Sequence, residues 1–216
     1  DYIDIFHLHA ARVEPDVFDL RKGALRCLLE YKDKGIIKAV GISAHDVRVV
    51  EGAAARQDID VVFPLLNKTG RGILSGTRED MERAIEKCRE NGKGVYLMKV
   101  LGGGTLIDDY QSCVEYALNL KTPYPIAMGM VSKEEVAYNI RFMNGERNFE
   151  DARSLKSKKS FRISQSMCIS CGKCIEACHS GAAGYNHTGK AHIDSEKCVQ
   201  CGYCVASCPQ FAIRLV

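Results

Sequence analysis

A repeated cysteine spacing constrains this chain of 216 residues more than any other feature. The first cysteine run, residues 168–178, and the second cysteine run, residues 198–208, each space four cysteines as C-x2-C-x2-C-x3-C. The two runs repeat with a period of 30 residues and contain eight of the 11 cysteines in the chain. Thiols at this density and regularity predict a segment that folds around metal.

This spacing resembles that of two-cluster bacterial ferredoxins, in which the fourth cysteine of each run ligates the cluster of the other run. The resemblance implies two [4Fe–4S] clusters in a small α+β ferredoxin-like domain. The first cluster set would be Cys168, Cys171, Cys174 and Cys208, and the second cluster set would be Cys198, Cys201, Cys204 and Cys178. We expect the fourth cysteine of each run to open the helix that follows. One position departs from the pattern, because His179 stands where the first run would have proline.

Two other kinds of cysteine chemistry are less consistent with the spacing. Zinc sites also use C-x2-C pairs, but four thiolates saturate tetrahedral zinc and leave the third cysteine of each run without a role. A disulfide framework is typical of secreted proteins, and the sequence shows no signal-peptide pattern. The many free thiols favour a reducing compartment, so we expect a cytoplasmic protein.

Composition excludes several kinds of partner. The hydrophobic content of 46% and the charged content of 26% are those of an ordinary globular protein. The net charge of +3 is too small to predict binding to nucleic acid. No apolar run reaches the length of a membrane span, so we expect none.

Residues 1–144 alternate between short apolar runs and segments with helical periodicity. Regular alternation with short connections predicts a parallel sheet with helices outside it. The expected strands are 1–9, 36–42, 59–66, 94–101 and 125–131, and the expected helices are 16–34, 46–56, 78–91, 108–120 and 133–143. The polar, basic segment 145–160 is predicted to be a linker, and 161–216 to be the cluster domain.

Several motifs in residues 1–144 resemble those of aldo/keto reductases. Asp4-Ile5-Phe6-His7-Leu8-His9 is similar to the strand-four motif of that family, and Val40-Gly41-Ile42-Ser43 to its strand-five Gly-x-Ser segment. Leu101-Gly102-Gly103-Gly104-Thr105-Leu106 resembles the segment after strand seven. The family folds as a TIM (β/α)8 barrel, so the resemblance implies a partial barrel made of units four to eight. We therefore expect a chain that lacks the front of a longer parent.

The same resemblance implies roles for individual residues at the mouth of the barrel, where strands end. His9 would be catalytic and would donate a hydrogen bond to the substrate carbonyl oxygen, whereas His7 is expected to be structural. Ser43 would hold the nicotinamide amide and Asn139 the adenine, and Lys99 would meet a cofactor phosphate or a substrate carboxylate. The remaining cofactor-binding positions are Asn67, Met98 and Gly129.

Some positions depart from the family pattern. Phe63 stands where a cofactor-binding Gln is usual, Met98 where an aromatic ring stacks on nicotinamide, and Ala44 where Asn is common. Glu135 occupies a position that is often Arg in NADP-dependent members. A carboxylate there would repel a 2′-phosphate, which favours NAD or a diverged pocket.

The sequence thus predicts an iron–sulfur oxidoreductase that couples an NAD(P)H/carbonyl-type barrel site to ferredoxin-type electron transfer. The expected partners are a redox protein or a small-molecule carbonyl substrate. An alternative is an electron-transfer module whose barrel is degenerate and non-catalytic. The family's catalytic Tyr, with its Asp and Lys, would lie in the front units, so this chain alone is expected to lack the complete catalytic set.

Overall fold

The computed structural model describes residues 1–10, 16–104, 106–130, 132–147 and 160–215. The chain divides into two units, the first made of Asp1–Gly102 with Gln111–Met128 and the second of Gly103–Tyr110 with Gly129–Val216. Within the described ranges, no helix has the length and apolar character needed to span a bilayer.

The first unit is built on a four-stranded parallel sheet. Its strands are β1 (Ile3–Ala10), β2 (Ile37–Ala44), β3 (Val61–Pro64) and β4 (Gly94–Val95), in the order β1-β2-β3-β4. Val40, Ile42 and Val62 are fully buried, as expected for a parallel sheet that is covered by helices. β1 lies at one edge of this sheet, and its side chains of Ile3, Ile5 and Phe6 are exposed.

Helices alternate with these strands as the sequence predicts. They are α1 (Val17–Leu20), α2 (Lys22–Asp33), α3 (Val47–Ala55), α4 (Arg78–Glu90) and α5 (Tyr110–Leu118). The Asp46 carboxylate accepts from the Arg48 N–H and caps α3, and Thr77 with Asp80 forms a capping box at the start of α4. The α/β class is therefore confirmed.

The structure differs from the sequence prediction at three elements. The expected helix 16–34 is divided at Arg21 into α1 and α2. The expected strand 94–101 is reduced to the two residues of β4, followed by isolated bridges from Leu97 to Ile126 and from Met98 to Leu65. Lys99 then has a left-handed conformation with φ 62°, which ends the extended stretch. In place of a strand at 125–131, the described residues show one bridge between Leu97 and Ile126. Pro125 has no N–H to donate to a ladder, and residue 131 lies outside the described residues.

The second unit contains a short 3-10 helix, one further α-helix and the two cysteine runs. Gly102–Gly104 form a turn with positive φ at all three residues, the 3-10 helix spans Ile107–Asp109, and α6 covers Lys133–Met143. The cysteine runs lie among β5 (Phe161–Ile163), α7 (Lys173–Glu176), β6 (Ala183–Tyr185), β7 (Ala191–Ile193), α8 (Tyr203–Ser207) and β8 (Ile213–Leu215). β5 pairs with β8 and β6 with β7, both antiparallel.

One local expectation about the cysteine runs is wrong. The fourth cysteine of each run does not open a helix, because Cys178 and Cys208 follow α7 and α8. The third cysteines, Cys174 and Cys204, lie inside those helices and are buried. Most of the predicted linker, residues 148–159, lies outside the described residues, so the boundaries 1–144, 145–160 and 161–216 stay a prediction.

Candidate functional site

Two open cavities in the second unit are lined by the cysteines of the runs. The first is lined by Cys168, Cys171, Cys174 and Cys208, among mainly apolar neighbours. The second is lined by Cys178, Cys198, Cys201 and Cys204. The structure thus brings together the same crossed sets of thiols that the sequence predicts. In the described part of the chain, no three His, Cys, Asp or Glu side chains converge on one ion site, and each set of thiols faces a shared space instead.

The local backbone explains how each run presents its thiols. Gly172 and Gly202 precede α7 and α8 in the left-handed conformation, both with φ 76°, which lets the chain turn sharply between the second and third cysteines. Because Cys178 and Cys208 leave the helices in an extended or turning segment, each reaches the cavity of the other run. The crossing is therefore a property of two short helices that end before the fourth cysteine.

Backbone amides point at several of the sulfur atoms. The Ser170 N–H donates to Cys168 Sγ at 3.4 Å, and the Ala212 N–H donates to Cys208 Sγ at 3.3 Å. In the second cluster set, Cys178 Sγ accepts from the backbone N–H of residue 183 at 3.3 Å. Hydrogen bonds to cluster sulfurs stabilise negative charge and are among the features that set cluster potentials.

The thiols differ in their acidity. The hydrogen bond from the Ser170 backbone lowers the pKa of Cys168, whereas burial raises the pKa of Cys174 and raises that of Cys204 to about 11. Burial also opposes ionisation of Cys178, but hydrogen bonds led by the one from Ala183 outweigh it, and the pKa of Cys178 is lowered. Metal binds thiolates, so incorporation of iron must release protons from the buried Cys174 and Cys204.

The end of β1 carries a second polar site, in the first unit. His9 is paired in register with Ser43 of β2, and His9 Nδ1 lies 2.7 Å from Ser43 Oγ. Ser43 is only 4% exposed, whereas His9 is exposed. When the Ser43 hydroxyl donates to Nδ1, neutral His9 carries its proton on Nε2 and can donate it outward. The Arg21 guanidinium donates to the His9 carbonyl oxygen and adds a cation that sequence analysis did not single out.

One layer deeper, His7 belongs to an aromatic cluster. Its Nε2 lies 2.6 Å from the Tyr96 hydroxyl, and Tyr96 stacks on Phe63 with ring centroids 4.0 Å apart. Gly41 makes this arrangement possible, since a β-carbon there would lie 2.5 Å from the His7 ring. Burial lowers the pKa of His7, so the ring is neutral near pH 7. The sequence did not predict Tyr96 as the partner of His7. The available signal was Gly41 on β2, because a glycine in a buried strand leaves space for a neighbouring ring.

Asn67 organises the loop after β3. It is fully buried, and its Nδ2 donates to the carbonyl oxygens of Arg71 at 2.9 Å and Lys99 at 3.3 Å. Its Oδ1 accepts from the Arg71 N–H at 2.9 Å and from the Thr69 hydroxyl at 3.0 Å. The Asn67 side-chain amide therefore holds the turn at residues 67–71 and binds the backbone of Lys99, which has positive φ.

The other candidate cofactor-binding residues are distributed over both units. Met98 is 7% exposed and lies in the core of the first unit. Asn139, in the second unit, accepts from the Tyr110 hydroxyl at 2.8 Å and donates to the Glu135 carbonyl at 2.7 Å. Gly129, also in the second unit, is exposed. Asn67 and Asn139 thus use their side-chain amides in hydrogen bonds within their own units, and Met98 is buried in the core of the first unit.

Comparisons with known families agree with both resemblances. The family model described as "Aldo/keto reductase family" matches residues 1–114, and the model described as "4Fe-4S dicluster domain" matches residues 167–212. The chain therefore belongs to the aldo/keto reductase family and carries an iron–sulfur domain after the family segment. No curated protein matches the chain.

Solved structures share the fold of the chain at low identity. An aldo-keto reductase from Bacillus halodurans in its holo form is 18% identical with a TM-score of 0.52, over 71% of this chain and 59% of that one. A protein from Pseudomonas aeruginosa that is assigned to the aldo-keto reductases is 20% identical with a TM-score of 0.51, over 72% of this chain and 54% of that one. The chain thus spans little more than half the length of these structures, and the likeness extends to the fold alone.

Proposed function

We propose that this chain is part of an iron–sulfur oxidoreductase in which an aldo/keto reductase-type barrel site works with two [4Fe–4S] clusters. The observation that carries the proposal is the pair of cysteine-lined cavities, each with one crossed set of four thiols. Four thiolates are the ligand set that a [4Fe–4S] cluster requires, and each cluster would supply one-electron transfer. The thiol-rich cluster domain fits a reducing compartment such as the cytoplasm.

The barrel part of the proposal rests on the first unit. Residues 1–144 would supply units four to eight, and the edge strand β1 exposes Ile3, Ile5 and Phe6, which suits pairing with a further strand. The front units of the parent would carry the catalytic Tyr and its partners. In that setting His9, held by Ser43, would donate from Nε2 to a carbonyl oxygen as negative charge develops there.

A nicotinamide cofactor remains a candidate for the same site, and a small carbonyl compound or a redox protein is the candidate partner. Ser43 contacts His9 directly, whereas Asn67 and Asn139 are engaged in hydrogen bonds within their own units and Met98 is buried. Glu135 follows the cap of α6 and would disfavour a 2′-phosphate nearby, so NAD is preferred over NADP in this proposal.

Iron analysis after anaerobic reconstitution tests the cluster assignment. The unsubstituted chain is expected to bind about eight irons, since each cluster contains four. Cys208→Ala should abolish the cluster of the first set and Cys178→Ala that of the second set, because each removes one ligand from one cavity. Cys27→Ala is the control, as Cys27 is exposed and outside the runs. Fewer than four irons in the unsubstituted chain would refute the proposal.

A further inference from the structure

The two cysteine runs are equivalent in sequence spacing but not in exposure. In the first run, Ile169 is 58% exposed and Cys171 is exposed. At the positions that correspond by the period of 30 residues, Val199 and Cys201 are half-buried. One segment outside the repeat packs directly on the second run.

That segment is the glycine turn, which we define as Gly103 and Gly104, in the same unit as the runs. A β-carbon at Gly104 would lie 2.9 Å from the Val199 carbonyl oxygen, and one at Gly103 would lie 3.2 Å from the Tyr203 ring. The same position at Gly103 would be 3.8 Å from the β-carbon of Cys201. The glycine turn therefore lies directly on the second run, with no room for side chains between them.

Both glycines also have backbone conformations that other residues avoid. Gly103 has φ 69° and Gly104 has φ 92°. The atom nearest to Gly104 is a backbone oxygen, which cannot rotate away as the end of a side chain could. Close approach and positive φ together make glycine necessary at this place.

We propose that the glycine turn is a cover for the ligand loop of the second cluster, which makes the two clusters unequal. Gly103 and Gly104 pack against the second ligand loop at Val199 and Cys201, whereas the corresponding loop of the first cluster is exposed at Ile169 and Cys171. The proposal rests on the proposed function, since it assumes clusters in both cavities. Gly104 acts as a positioning residue, because it contacts Val199, the residue next to the ligand Cys198.

Shielding has a defined electrochemical consequence. A cluster gains one negative charge when it accepts an electron, and removal of water disfavours that charge. The covered second cluster therefore has the lower reduction potential and loses iron to solvent more slowly. The first cluster, with the open edge, has the higher potential and the faster exchange.

Potentiometric titration of the reconstituted full chain, followed by electron paramagnetic resonance, tests this assignment. Gly104→Ala must displace Val199, and it is expected to raise the reduction equilibrium constant of the second cluster about tenfold, which is about 59 mV for one electron. Gly189→Ala is the matched control, because Gly189 also has positive φ, 74°, but a β-carbon there meets nothing within 4 Å. Cys178→Ala identifies which wave belongs to the second cluster.

A second pair of variants keeps the test independent of backbone strain. Val199→Ala removes part of the contact with the glycine turn and should speed the slow phase of iron loss to a chelator. Ile169→Ala, at the equivalent exposed position of the first run, should leave this slow phase unchanged. Equal reduction potentials of the second cluster in Gly104→Ala and Gly189→Ala would contradict the proposal that the glycine turn covers the second run. Equal rates of the slow phase of iron loss in Val199→Ala and Ile169→Ala would contradict it as well. Fewer than four irons in the unsubstituted chain would instead overturn the proposed function, and this proposal with it.

Discussion

Gly41→Ala should destabilise the sheet of the first unit because it fills the space that the His7 ring occupies. A β-carbon at position 41 would lie 2.5 Å from two atoms of that ring and 2.9 Å from the Val61 carbonyl oxygen. Overpacking of a core costs about 1–3 kcal/mol. Moving the ring also breaks the 2.6 Å contact with the Tyr96 hydroxyl, a hydrogen bond with a net contribution of about 1 kcal/mol. The expected loss is about 2–4 kcal/mol, the sum of these two contributions.

Amide hydrogen exchange measured peptide by peptide reports on the stability of the first and second units separately, whereas a single unfolding transition would not. At 1.36 kcal/mol for each factor of ten, exchange in β2 and β3 should accelerate roughly 30- to 900-fold. Gly52→Ala is the matched control. A β-carbon there meets only Phe18 at 3.5 Å, and alanine in the middle of α3 is expected to stabilise by about 0.5–1 kcal/mol.

A double-mutant cycle with His7→Ala locates the cause. Removal of the ring should lower the cost of Gly41→Ala without abolishing it, because the Val61 carbonyl oxygen stays within 2.9 Å. An undiminished cost in the His7→Ala background would show that the ring is not responsible. Exchange rates in Gly41→Ala that match those of the unsubstituted chain would refute the steric argument altogether.

Three further outcomes are expected. Hydride donors deliver two electrons and each cluster accepts one, and the sequence shows no flavin motif, so NADH or NADPH alone should not bleach the cluster absorbance within seconds; rapid bleaching without added flavin would contradict this. The chain alone should show no carbonyl reductase turnover with a panel of aldehydes and ketones, whereas a version extended by the three front units should turn over, since general acid catalysis supplies about 10²–10⁴-fold; comparable rates would show that those units are dispensable. Burial raises the pKa of Asp60, but the ion pair with Lys32, 2.6 Å away, and the Val40 N–H outweigh it and hold the pKa below its usual range. The stability that Asp60 contributes is therefore present above about pH 4 and lost as pH falls further. Asp60→Asn should weaken the loss of stability at low pH, and an unchanged dependence of stability on pH would remove Asp60 as its source.

Regular features of the sequence predicted most of the fold. The alternation of apolar runs and helical periods marked each helix of residues 1–144, because burial against a parallel sheet imposes those two periods. The doubled cysteine spacing predicted which thiols share a cavity, because ligation fixes spacing more tightly than packing does. Elements without such a constraint were predicted less well, and the strand expected at 94–101 shows why. A left-handed Lys99 has no signature in the sequence, since a non-glycine residue with positive φ is held by its surroundings.

The candidate barrel site was predictable only in part for a similar reason. His9 and Ser43 were found through separate motifs, and the strand register made them neighbours. The engagement of Asn67 and Asn139 could not be anticipated, because their partners are backbone groups and a tyrosine far away in sequence. A single sequence shows which residue types are present but not which of their hydrogen bonds are already used.

The proposed crossed ligation implies an order in which the two clusters obtain their ligands during biosynthesis. The first run emerges from the ribosome before the second, but its cavity needs Cys208, whereas the cavity of the second set is complete once Cys204 has been made. The cluster whose first three cysteines are synthesised earliest would therefore be the last to obtain all four of its cysteine ligands. Cys168 must wait for 40 further residues, about 2–8 seconds at 5–20 residues per second. During that interval Cys168, Cys171 and Cys174 lack the fourth ligand of their proposed cluster and are open to oxidation, so we expect delivery of iron to follow closely on the synthesis of Cys208.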